Sequence, residues 1–120
     1  MRPSHLARGI AAAALALALA PALAQTAPPL PPKLSTHALD TYNGRQAAGI
    51  RIDLYAVDGD TRRLLKTVRA NEDGRVPENL LNDGELKVGR YEIVFHVAEY
   101  YRKAGITQTT PEFLDVVPVR

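Results

Sequence analysis

The sequence predicts an all-β sandwich carrying one short surface helix. Three observations lead there. Apolar residues recur with a period of two, turn signals separate the alternating segments at short intervals, and only one segment breaks the alternation with the signs of a helix end.

Residues 1–24 are set aside first. Arg2 and Arg8 make a positive start, and Ile10 to Leu19 is unbroken Ala, Leu and Ile. That run of about ten residues is too short for the roughly 20 that cross a bilayer, and it is apolar all round rather than amphipathic. Pro21 then precedes Ala22-Leu23-Ala24, a small-x-small pattern. The segment reads as a secretory signal peptide cleaved after Ala24, which predicts a periplasmic or secreted protein without membrane association after cleavage. Residues 25–32 contain Pro28, Pro29, Pro31 and Pro32 and read as a stiff, extended tether. The folded domain is expected over residues 33–120.

Within it, Lys33 to Asp40 supplies a first strand, over 34–39. Ile50, Ile52, Leu54 and Ala56 alternate with Arg51, Asp53, Tyr55 and Val57 in a half-buried strand, over 49–57. Asp58-Gly59-Asp60 is a turn, and 62–70 is the returning strand. Asn71-Glu72-Asp73-Gly74 is a second turn, with Gly74 free to take positive φ, before a short strand at 75–76. Gly84 and Gly89 bracket a loop. Tyr91, Ile93, Phe95 and Val97 then alternate with polar and β-branched neighbours over 89–97. Val97 to Ala104, with Arg102 and Lys103 near its end and Gly105 after it, predicts two turns of surface helix. Phe113 to Val119 is the last expected strand, with Pro118 favouring an edge.

Cleavage after Ala24 takes two of the 15 basic residues and none of the 13 acidic ones, so the remaining chain is balanced in charge. It carries no electrostatic footprint for nucleic acid or anionic membrane. There is no cysteine, which excludes disulfides, thiol catalysis and zinc–thiolate sites. His37 and His96 belong to no metal-ligand spacing, so neither a metal nor another cofactor is expected. Ser35, Thr36 and His37 do not make a nucleophile and base, because neighbours on a strand face opposite ways. No Gly-x-Ser-x-Gly elbow is present either. Taken singly, His37 reads as a surface or interface group, Arg75 as a solvated rim charge, and His96 as a packing or capping residue.

The order of segments changes that reading. Leu34-Ser35-Thr36-His37-Ala38-Leu39-Asp40-Thr41 resembles the first-strand signature of the 5-hydroxyisourate hydrolases, the transthyretin-related enzymes of urate breakdown. Gly44 to Ile50 resembles that family's turn into the second strand, with Gln46 where a proline is usual. Asn71 to Arg75 resembles its Asp-Gly-Arg turn. Gly89 to Phe95 with Tyr100-Tyr101, and Pro111 to Leu114 with Val117 to Val119, resemble its later strand, helix and strand.

The resemblance covers essentially all of 33–120 and implies a transthyretin-like (prealbumin-like) β-sandwich. It further implies a homotetramer, a dimer of dimers with active sites between dimers, that opens the ring amide of the small molecule 5-hydroxyisourate. His37 falls on the family's first catalytic histidine and Arg75 on its catalytic arginine. The family's His-Tyr-His-Val segment and closing Tyr-Arg-Gly-Ser have no counterpart in this sequence, which stands as C-terminally incomplete against that pattern. The expectation for a chain of this length is lower stability and impaired activity, since two sheets would each lack a strand. His96 precedes the helix and does not replace the family's second histidine. The competing expectation is a non-catalytic, secreted transthyretin-like binding module.

Overall fold

Alternation marks the strands Arg51–Asp58 and Arg90–Phe95, and Thr61–Arg69 follows as the return of a hairpin from the first of them. The computed structural model describes Met1 and residues 26–120, so all of the predicted leader but Met1 lies outside the described residues. Residues 26–33 are exposed throughout and belong to no helix or strand. The elements are β1 (Leu39–Asp40), β2 (Arg45–Gln46), β3 (Arg51–Asp58), β4 (Thr61–Arg69), β5 (Arg90–Phe95), α1 (Val97–Lys103) and β6 (Val117–Val119). An antiparallel sheet runs in the order β4-β3-β5-β6, and β1 pairs with β2 in a separate two-stranded sheet. This is the expected sandwich.

β3 holds the centre. Ile52 and Leu54 are completely buried on its inner face and pack with Ile50, Ala38, Ala47, Ala70, Val76, Leu80 and Leu81. Ile52 stands opposite Phe95 and Val68, and Leu54 opposite Ile93, so three strands direct apolar side chains at the same layer. Asp58 pairs with Thr61 across a two-residue turn. Gly59 at φ 57 supplies the positive φ such tight hairpins need at their first central position.

The outer face of β3 departs from simple alternation. Asp53 was expected on the polar side of the strand, and it is 3% exposed. Thr67 donates to one carboxylate oxygen at 2.7 Å, His96 Nε2 lies 2.7 Å from the other, and Arg51 bonds both. These partners cover it and offset the cost of burying its charge.

The helix forms as its end signals predicted. Glu99 lies in its first turn, Arg102 and Lys103 in its last, and Gly105 follows at φ 77. Ala98 is wholly buried against the sandwich. Four strands are clearly shorter than expected, and the one over 89–97 closes at Phe95 because Val97 already begins α1. Residues 34–38 are extended but joined to their neighbours by single bridges at Leu34 and His37, and 75–76 is reduced to the bridge partner Arg75. The strand expected over 113–119 is confined to Val117–Val119, because the preceding residues tie down the helix instead. The Asp115 backbone carbonyl accepts from the Ala98 N–H, and the Glu112 carboxylate pairs with Arg102.

Candidate active site

Leu34, Thr36, Ala38 and Asp40 turn toward the sandwich interior, so Ser35, His37 and Leu39 turn outward. The first segment thus presents His37 on an open surface. Its partner across an antiparallel bridge is Arg75. The Ala38 N–H donates to the Gly74 carbonyl at 2.9 Å, beside the pair rather than within it. His37 and Arg75 therefore form a non-hydrogen-bonded pair, the kind in which opposed side chains stand closest and on one face. The guanidinium of Arg75 meets no carboxylate among the described residues. An imidazole and an unpaired cation are therefore neighbours on an accessible surface.

The turn before Arg75 sets this geometry. The Asn71 side-chain oxygen accepts the N–H groups of Asp73 and Arg75, both at 3.0 Å, and Gly74 donates to the Asn71 carbonyl. Gly74 has φ 72, and a Cβ placed there would lie 2.3 Å from the Ala38 carbonyl oxygen. Only glycine lets the turn approach the first segment this closely.

On the other flank, β1 and β2 enclose a four-residue turn anchored by Asp40. Its carboxylate accepts from the Asn43 N–H at 3.0 Å and the Asn43 amide at 2.7 Å. It also accepts from the hydroxyls of Tyr100 at 2.9 Å and Tyr101 at 3.2 Å, on α1. Burial alone would raise the Asp40 pKa, but these donors outweigh it and hold the group at about 2. The Tyr100 hydroxyl is raised in turn, by its own burial and by bonding to that carboxylate. The anchored turn sets Gln46 opposite Leu39, on the face of His37, and Gln46 Oε1 lies 2.7 Å from His37 Nε2. The sequence marked Gln46 only as a departure from a pattern. What could have found it is the Asp40-to-Asn43 turn, which fixes the register of the hairpin.

His96 is not part of this group. It follows Phe95, faces outward and pairs with Asp53 on the far side of the sandwich, making no side-chain cap on α1. The expected packing role holds, through an ion-pairing partner the sequence did not reveal. No cluster of three or more His, Asp or Glu side chains suited to a metal occurs among the described residues. A polar cleft of about 500 Å³ opens beside Gln46, walled by Arg45, Glu72, Tyr100 and Lys103, but His37 and Arg75 stand outside it. Leu39, 58% exposed, lies beside them on the open face.

The model of the HIUase/Transthyretin family matches residues 34–120. The 5-hydroxyisourate hydrolase 2 of Rhizobium meliloti (strain 1021) is 48% identical over 88 residues, which span 73% of this chain and 73% of that protein. Among solved structures, the crystal structure of (S)-allantoin synthase superposes with a TM-score of 0.67 at 35% identity. That match covers 73% of this chain but 34% of the other, so it concerns one part of a longer protein. The Klebsiella pneumoniae 5-hydroxyisourate hydrolase gives a TM-score of 0.58 at 24% identity, covering 72% of each chain, and bears on the fold alone.

Proposed function

Since this chain belongs to the HIUase/Transthyretin family, we propose that it hydrolyses 5-hydroxyisourate, with His37 and Arg75 as its catalytic residues. The observation that supports this most is the bridge pairing of the two, which sets a base and a cation side by side on an open face. Opening a cyclic amide requires removing a proton from water as it attacks the carbonyl, stabilising the oxyanion that forms, and returning a proton to the departing nitrogen. Neutral His37 takes the proton from water and delivers it to the leaving nitrogen, so acid and base balance over the cycle. Arg75, charged throughout, holds the oxyanion with its forked donors. These roles invoke no cofactor.

The same reading supplies a cover for the site. His37, Gln46, Arg75 and Leu39 are all exposed on one face, whereas hydrolysis is favoured by a water-restricted pocket. A homotetramer in which a second copy packs over this face would close it, and the leader would deliver the protein to the periplasm. Sizing by light scattering and N-terminal sequencing of a periplasmic fraction test those two points.

The catalytic test follows the ultraviolet decay of 5-hydroxyisourate against a buffer blank. Wild type should exceed the blank, and His37→Ala and Arg75→Ala should each lose on the order of 10²-fold or more of that excess. Wild type indistinguishable from the blank would instead favour a non-catalytic binding module. His37→Ala as active as wild type would end the role of that histidine.

A further inference from the structure

A histidine acting as base needs a defined tautomer, and among the described residues one side chain hydrogen-bonds to the His37 ring and sets it. Gln46 Oε1 lies 2.7 Å from His37 Nε2. An amide oxygen only accepts, so Nε2 carries the proton and the neutral ring keeps its lone pair on Nδ1.

Gln46 is held in place for this. The turn between β1 and β2 is fixed by two bonds from Asn43 to Asp40, and Asp40 by two tyrosine hydroxyls from α1. The Ala47 N–H donates to the Ala38 carbonyl at 3.0 Å, which locks Gln46 opposite Leu39 and diagonal to His37. A side chain of glutamine length spans such a diagonal.

We infer that Gln46 is a positioning residue of the hydrolytic site, holding His37 as the Nε2–H tautomer and leaving Nδ1 as the proton-accepting atom. The inference rests on His37 being the base. The charged group facing the ring on its own surface is Arg75, across the bridge. Asp40 is turned inward and engaged by Asn43, Tyr100 and Tyr101, and Arg45 reaches toward that same carboxylate at 3.5 Å. Gln46 is thus the contact through which the protein sets the state of the ring.

The test uses the full chain with Gln46→Leu, Gln46→Glu and His37→Ala. Two-bond proton–nitrogen spectra report which ring nitrogen is protonated, and pH–rate profiles report the base. Wild type should show the single Nε2–H tautomer. Gln46→Leu should show a mixture, with kcat reduced roughly tenfold and KM within about twofold. Gln46→Glu keeps the acceptor and adds a charge that favours the imidazolium. Its acid limb should move to higher pH by about one unit or more, with kcat on the plateau restored above that of Gln46→Leu. If Gln46→Leu keeps the wild-type tautomer and kcat while His37→Ala is inactive, the role of Gln46 is overturned and the reading of His37 stands. If Gln46→Leu loses its fold, an unmoved acid limb in Gln46→Glu overturns the inference just as well. His37→Ala with full activity overturns both.

Discussion

Replacing Gly74 by alanine probes the whole site through one methyl group. Two costs add. The residue sits at φ 72, where an L side chain is strained by about 1–2 kcal/mol. Its Cβ would also lie 2.3 Å from the Ala38 carbonyl oxygen, more than an ångström inside the ordinary contact range that begins at 3.4 Å. The obstacle is backbone and cannot swing aside, so the turn and the first segment must separate, and the bond from the Ala38 N–H to the Gly74 carbonyl goes with them, at about 1 kcal/mol. Alanine recovers about 0.4–1 kcal/mol by restricting the unfolded chain. The net expectation is about 2 kcal/mol of lost stability.

Gly59→Ala is the matched control. Gly59 has φ 57 and nothing within 4 Å of its Cβ position, so it carries the strain and the unfolded-state gain without the collision. Its net cost should be about 1 kcal/mol or less. Urea unfolding followed by far-ultraviolet circular dichroism measures both. With unchanged slopes, Gly74→Ala should have the lower midpoint by roughly 0.5–1 M. Because the shift parts His37 from Arg75 by about an ångström, kcat/KM of the folded fraction should drop by around 10²-fold in Gly74→Ala and stay put in Gly59→Ala. Equal midpoints and equal activities for the two variants would refute the close-approach reasoning.

Three further expectations concern single side chains. Arg75→Lys keeps the charge but not the forked donors, so kcat should fall about 10²-fold in the ultraviolet assay while the urea midpoint stays unchanged, since the residue is exposed. Asp40 has its pKa lowered from 3.8 to about 2 on folding, so its charged form stabilises the fold above the higher value and that contribution disappears as pH falls toward the lower one. Wild-type urea midpoints should therefore decline between those limits, and Asp40→Asn should flatten the decline. Asp53→Ala strips His96, Thr67 and Arg51 of a shared acceptor and should cost about 3 kcal/mol in urea unfolding, yet leave kcat/KM of the folded protein intact, because it lies on the face opposite His37.

What the sequence made legible follows from range. Ile50, Ile52 and Leu54 announce β3 because their spacing alone sorts them to one face, and Arg102, Lys103 and Gly105 announce the end of α1 because capping is local. Asp53 was misassigned for the same reason. Alternation puts a carboxylate on the wet side of a strand, and its burial depends on Thr67 and His96, which arrive 14 and 43 residues later. His37 and Arg75 carried no joint signal in composition or period. They became a pair only through the order of whole segments, and their adjacency is a bridge that no local rule predicts. The strand expected over 113–119 shrank because Glu112 and Asp115 are spent on Arg102 and the backbone of α1, contacts invisible to periodicity.

The two faces of the sandwich differ in how they are held, and this explains why the site sits where it does. Around β3, large side chains fill the interior and fix the sheet through burial. Beside His37, Ala38, Ala47 and Gly74 are small enough to bring three backbone segments within hydrogen-bonding distance, in addition to the packing of the shared core. Position there is set by directional bonds: Asn71 to the turn before Arg75, Asn43 to Asp40, and the tyrosines of α1 to the same carboxylate. Directional bonds specify a geometry more narrowly than apolar contact does. A surface site of two or three side chains needs that narrowness, because the hollow of about 220 Å³ that His37 borders with Leu39 and Phe95 does not extend to Arg75.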